Sequence, residues 1–240
     1  MQIADVFKSF AGKPVLQGVS LELSPAEIVV ILGPSGCGKS VLLKCVMGLI
    51  APDQGKISFK DQELCPTGSG SRKSRMKIGM VFQSGALFDF LNVFENIALP
   101  LRAHTDLNEH EIRDRVDKTL VGFTLSKFST LYPAELSGGM KRRVAMARTI
   151  ITEPELILFD EPTVGLDPER VAGINELIVK LSRQGSVSCL AVTHDLYSAY
   201  RIADRVGLHH EGKIKHLMGK NAFFNSEIPE IREFLHGFKN

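Results

Sequence analysis

Two kinds of hydrophobic spacing divide this chain. Near the start, apolar residues alternate with polar ones through Val15, Val19, Leu21 and Leu23, the period of half-buried strands, and Ala11-Gly12-Lys13-Pro14 reads as the turn of an antiparallel pair. Gln54–Phe59 reads as a return strand. The runs Glu27–Leu32, Leu156–Phe159 and Val187–Thr193 are short and apolar, as expected of strands buried on both faces. Val41–Met47 can continue the first of them as a helix. After Ile78–Phe82, helical spacing prevails from about residue 84 to 155: Ile112, Val116 and Leu120 share one face, and Met140, Val144, Ala147 and Ile151 another. A further helix opens at Asp167-Pro168, carries Ile174, Leu177, Ile178 and Leu181 on one side, and ends near Gly185.

Strands alternating with helices imply a mainly parallel α/β sheet, preceded by antiparallel β structure and interrupted by a helical insertion, in one domain spanning residues 1–240. Ligands of such sheets sit at the carboxyl ends of the strands, where Gly33, Asp160 and His194 each fall. The Gly/Ser-rich basic stretch 66–75 reads as a solvated connection.

Residues 33–40, Gly33-Pro34-Ser35-Gly36-Cys37-Gly38-Lys39-Ser40, have the G-x-x-x-x-G-K-[ST] form between a predicted strand and a predicted helix that begins at Val41. Glycines there let consecutive backbone N–H groups converge on phosphate oxygens, and the helix end adds positive potential. Lys39 is placed to reach the outer phosphates of a nucleotide and Ser40 to ligate magnesium.

Composition narrows the field modestly. Its 29 basic and 27 acidic residues leave a net charge of +2, which gives no electrostatic reason to expect nucleic acid as the main partner. Cys37, Cys45, Cys65 and Cys189 lack C-x-x-C or metal spacing and suit a reducing compartment. No run approaches the roughly 18 apolar residues of a spanning helix, so the chain is not expected to cross a membrane by itself.

With Leu136-Ser137-Gly138-Gly139 following the phosphate loop and preceding Asp160-Glu161 and His194, nearly the whole sequence resembles the ATP-binding subunit of an ABC transporter. The resemblance implies a P-loop ATPase fold and assigns roles residue by residue. Phe10 stacks on adenine. Gly33 to Val41 hold the phosphates of ATP, and Gln83 is the glutamine loop, near Mg2+ with Ser40 and Asp160. Glu161 is the catalytic carboxylate, Asp167 belongs to the D-loop, and His194 is the switch histidine. Ser137, Gly138 and Gly139 meet ATP bound to a second copy of the chain, so the implied unit is a dimer.

Phe82–Phe88, Val93–Asn96, Leu136–Arg143 and Ile231–Gly237 are similar to the ATPases of Mla/Mce-type lipid transporters. That narrower likeness implies a membrane permease, a lipid-binding Mce-type protein, and a peripheral position on the cytoplasmic face of the inner membrane. The cluster Phe88, Phe90, Leu91, Val93, Phe94 and Ile97 lies where a permease helix would dock, with part of it expected to be ordinary core. Transport of another solute and regulation of cell-wall enzymes remain alternatives. The stretch between Lys39 and Phe159 is too short for the long coiled coils of DNA-maintenance ABC ATPases, and there is one cassette where translation factors usually carry two.

Overall fold

The computed structural model describes residues 1–60, 62–64 and 77–236; the expected connection at 66–75, Cys65 and Gly237 lie outside them. Strands β1 (Gln2–Phe10), β2 (Lys13–Glu22), β4 (Gln54–Phe59) and β5 (Gln62–Glu63) form an antiparallel sheet in the order β2-β1-β4-β5. The turn joining β1 to β2 is shorter than the sequence suggests. Only Ala11 (φ 47°) and Gly12 (φ 77°) make it, and Lys13 and Pro14 already pair with Phe10 and Ser9. Two consecutive positive φ values give a turn whose twist matches that of the strands it joins.

The second sheet, in the order β10-β9-β3-β8-β7-β6, holds β3 (Ile28–Leu32), β6 (Ile78–Val81), β7 (Leu156–Asp160), β8 (Ser188–Thr193), β9 (Arg205–His210) and β10 (Lys213–Gly219). All its neighbours run parallel except β9 and β10. Every residue from Ile28 to Leu32 is fully buried, because both faces of the sheet are covered. Val30 and Leu32 point into a core shared with the helices, while Val29 and Ile31 face a second core built with the antiparallel sheet. At roughly 1.5–3 kcal/mol for each buried aliphatic side chain, this strand is among the main stabilising elements.

Helices α2 (Val93–His104), α3 (Glu109–Gly122) and α4 (Gly138–Ile150) lie between β6 and β7, where the sequence places a helical block. Asn92 and Asn108 close capping boxes at the starts of α2 and α3. Ile112, Val116 and Leu120 are buried together as their spacing requires. Helix α5 (Pro168–Gly185) is capped by Asp167, whose Oδ1 accepts from the Arg170 N–H at 3.0 Å. Strands β9 and β10 and helices α6 (Leu196–Ile202), α7 (Lys220–Phe224) and α8 (Pro229–His236) have no counterpart in the sequence-based reading. Gly207, His209 and His210 interrupt the apolar run of β9, and β10 is only half-buried.

Register decides where the chemistry gathers. Leu32 pairs with Thr193 and Asp160 pairs with Val192, so the segments leaving β3, β7 and β8 emerge side by side at one edge of the sheet. Among the described residues no helix is long and apolar enough to cross a membrane.

Candidate active site

The phosphate loop runs from Leu32 into helix α1 (Lys39–Val46), with Gly38 at φ 110° as the residue before the first helical turn. No side chain caps this helix, so its first N–H groups point into the loop and are open to an anion. Two glycines are needed for space. A Cβ on Gly33 would lie 2.8 Å from the His209 carbonyl oxygen, and one on Gly38 would lie 2.8 Å from Val15 Cγ1. The Lys39 ammonium donates to the carbonyls of Gly33 (2.7 Å) and Pro34 (2.9 Å), and Glu161 Oε1 is 3.5 Å away.

Asp160 ends β7 and accepts a hydrogen bond from Ser40 Oγ at 2.8 Å. Burial raises its pKa; the Ser40 hydrogen bond opposes that shift and the charge of Glu161 reinforces it. A hydroxyl and a carboxylate held oxygen to oxygen at the foot of a phosphate loop form a donor set suited to a hard divalent cation such as Mg2+. Glu161 follows with φ 47°, a left-handed conformation that is strained for a glutamate. Its N–H still bonds to Val192 O at 2.9 Å, which continues the strand ladder while the side chain turns into the cleft.

His194 follows β8 directly. Its Nδ1 is 3.1 Å from Glu161 Oε1, and its N–H donates to Glu161 Oε2 at 3.3 Å. Ser35, Gly36, Gly38, Lys39, Ser40, Val41, Gln83, Glu161 and His194 line one cleft of about 420 Å³ together with Val15. A carboxylate, an imidazole and an ammonium are thus collected beside open amides, an arrangement able to bind a polyphosphate and to hold a water against it.

Other expected residues stand elsewhere. Phe10 closes β1 with its ring half-exposed and Lys8 Nζ 5.4 Å from the ring centroid; it is not among the residues lining the cleft. Ser137 caps α4 by accepting from the Met140 N–H at 3.4 Å. A Cβ on Gly138 would lie 3.4 Å from Leu166 Cδ2 and one on Gly139 3.0 Å from Arg170 Cδ, so the start of α4 sits beside the Asp167 turn and outside the cleft lining.

Four features escaped the sequence reading. Val15 reads in the sequence only as a strand residue, yet it lines the cleft. Arg142, off the apolar face of α4, looks solvent-facing but is buried: its guanidinium donates to the carbonyls of Phe82 (3.0 Å), Gln83 and Val164 (3.3 Å). Arg148 likewise holds Gly85 O and Ala86 O at 2.9 and 2.8 Å. His209 is fully buried under the loop, its Cε1 3.5 Å from where a Gly38 Cβ would be, and neither ring nitrogen has a hydrogen-bond partner among the described residues. Of these, only His209, a histidine within a largely apolar strand, left a trace in the sequence.

The profile of the ABC transporter family matches residues 16–164, more than half of the chain. This chain belongs to that family. It is 40% identical over 239 residues to the intermembrane phospholipid transport system ATP-binding protein MlaF of Escherichia coli K12, covering 99% of this chain and 88% of that one. It is 38% identical over 253 residues to the chloroplast protein trigalactosyldiacylglycerol 3 of Arabidopsis thaliana, covering 99% and 73%. Among solved structures, a dimeric post-hydrolysis state of the ATP-binding cassette MJ0796 with ADP and Pi superposes with a TM-score of 0.82 at 30% identity, over 91% of this chain and 98% of that one. The protein is therefore an ABC ATPase that binds and hydrolyses ATP, with the P-loop α/β fold expected from its sequence.

Proposed function

We propose that this ABC ATPase works as a pair of identical chains that drives a membrane permease for phospholipid or a related lipid. One observation carries the pairing. Lys39, Ser40, Glu161 and His194 share a cleft, whereas Ser137, Gly138 and Gly139 end against Leu166 and Arg170, outside that cleft. A second copy related by two-fold symmetry supplies what one copy lacks.

In this reading Gly33 to Val41 hold the phosphates of ATP, Phe10 supports the adenine, and Ser40, Asp160 and Gln83 hold Mg2+, which supplies positive charge against the phosphate oxygens. Glu161 orients the attacking water and accepts its proton, and His194 holds the outer phosphate; a carboxylate in that role is worth roughly 100- to 10,000-fold in rate. Ser137, Gly138 and Gly139 close on the nucleotide of the other copy.

The lipid assignment rests on likeness to the phospholipid transport protein MlaF. Permease docking is supported by a patch whose exposed members are Phe88 and Phe90, 43% and 76% exposed, with rings edge to face at 5.7 Å. Asn96, fully buried, braces that loop through Phe88 N and the carbonyls of Phe88, Leu91 and Asn92. Val93 and Ile97 make up the part of the same cluster that belongs to the core. The implied position is peripheral, on the cytoplasmic face of the inner membrane, with an Mce-type protein completing the assembly.

Capture of this chain from detergent-solubilised membranes should bring down a multi-span permease and a lipid-binding protein. The reconstituted complex should move labelled phospholipid only with ATP and intact Glu161. Recovery of a polar-solute permease, or of a regulator of cell-wall enzymes, would overturn the lipid reading.

A further inference from the structure

We infer that Thr193 is a positioning residue for hydrolysis: it fixes the carboxylate of Glu161 so that one oxygen is anchored to the protein and the other is presented to the cleft. The inference rests on the role given to Glu161 above. Thr193 is the last residue of β8, 1% exposed, and its Oγ1 donates to Glu161 Oε2 at 2.9 Å.

The direction of that bond follows from its neighbour. The Asp195 N–H donates to Thr193 Oγ1 at 3.0 Å, which occupies an acceptor site of the hydroxyl. A threonine hydroxyl has one proton, an ionised carboxylate has none, and so the proton of Thr193 lies toward Glu161. The backbone N–H of His194 reaches the same Oε2 at 3.3 Å. Glu161 Oε2 thus takes two donors from the end of β8. Oε1 faces Lys39 Nζ at 3.5 Å and His194 Nδ1 at 3.1 Å, on the side where the phosphate loop stands.

The anchor is itself held. Asp195 Oδ2 accepts from Thr163 Oγ1 at 3.1 Å and from Ser198 Oγ, and Ser198 Oγ also accepts from Asn175 Nδ2 at 3.0 Å. Thr163, Asn175 and Ser198 are all buried. This knot ties the segment after β7 to the starts of α6 and the middle of α5, so the Asp195 N–H that orients Thr193 has little freedom to move. Linked hydrogen bonds among buried side chains of this kind rigidify their surroundings, even though Asn175 Oδ1 has no hydrogen-bond partner among the described residues.

The strained backbone of Glu161 explains why an anchor is useful. At φ 47° the residue leaves the strand direction, and a long flexible side chain on such a turn has several rotamers available. Two donors to Oε2 select one of them before ATP binds. Holding a reacting group in place is a recognised source of rate, and a hydrogen bond to a charged group removed without replacement corresponds to roughly ten- to a hundredfold.

The test uses the full chain assembled with its membrane partner. Thr193→Val keeps shape and strand preference and removes only the hydroxyl; it should lower kcat roughly ten- to a hundredfold. KM and the affinity for a fluorescent ATP analogue should stay within about twofold, and Thr193→Ser should restore most of the loss. Glu161→Gln is run alongside. A dead Glu161→Gln with a fully active Thr193→Val overturns the anchor and leaves the catalytic reading standing. An active Glu161→Gln overturns that reading first. Equal losses in the Val and Ser variants, or a loss confined to KM, would show that the methyl group or the fold matters rather than the hydroxyl, and would overturn the inference.

Discussion

The Lys39 ammonium lies 3.5 Å from Glu161 Oε1, and both residues are buried. Each charge therefore offsets part of the desolvation of the other, and a change at one is felt at both. Lys39→Ala should lose ATP binding by at least about a hundredfold, because the charge-assisted contact to phosphate proposed for Lys39 would disappear. It should also lower unfolding stability by up to about 3 to 5 kcal/mol, since Glu161 is left buried without its cation. Equilibrium titration checks the first effect and denaturant melts the second.

In the proposed mechanism Glu161→Gln removes the proton acceptor while keeping shape and the donor contacts from Thr193 and His194. ATP binding should survive and turnover should fall by at least a hundredfold. The variant should accumulate as a closed, nucleotide-bound pair, seen by size-exclusion chromatography with ATP and Mg2+ and absent without them.

His209 gives the fold a pH dependence. Burial, reinforced by the charges of Lys39 and His210, lowers its pKa from 6.5 to about 4. In the unfolded chain the imidazole takes a proton near pH 6.5, in the folded chain only near 4, so between these values the unfolded state binds more protons. Stability should therefore rise with pH through that window and be lost as pH falls. The cost at pH 5 relative to pH 7.5 is about 2 kcal/mol. His209→Leu should flatten this component, and the difference between the two stability–pH curves isolates it from every other titrating group.

Arg142 joins α4 to the glutamine loop and to the segment following Glu161 through three carbonyls. Arg142→Met fills similar volume but frees Phe82, Gln83 and Val164. Amide exchange should accelerate at residues 82–86 while ATP affinity changes by less than about threefold, because no Arg142 atom lines the cleft.

The sheet and the edge where its motifs gather were legible because parallel strands buried on both faces must be apolar throughout, which makes β3, β7 and β8 visible as runs. Lys39, Asp160 and His194 fall at or beyond the carboxyl ends of those runs. Strand β9 was not legible: Gly207, His209 and His210 break its run, and only the three-dimensional stack shows that His209 fills space beneath Gly33 and Gly38. Arg142 was invisible for a related reason. Helical periodicity assigns faces relative to one core, and the loop that covers Arg142 comes from residues 60 positions earlier in the chain. The capping residues Asp167 and Ser137, by contrast, act within their own helix, and both are found at its start.

Because the start of α4 sits against Leu166 and Arg170 and outside the lining of its own cleft, the shared-site reading has a genetic consequence. Lys39→Ala damages the loop of the chain that carries it, and Ser137→Arg damages the site of its neighbour. Neither gene alone should support transport. A cell expressing both forms mixed pairs in which one nucleotide meets an intact Lys39 from the second variant and an intact Ser137 from the first, while both lesions fall together on the other nucleotide. Two inactive alleles should therefore rescue one another in trans, whereas two different loop lesions should not.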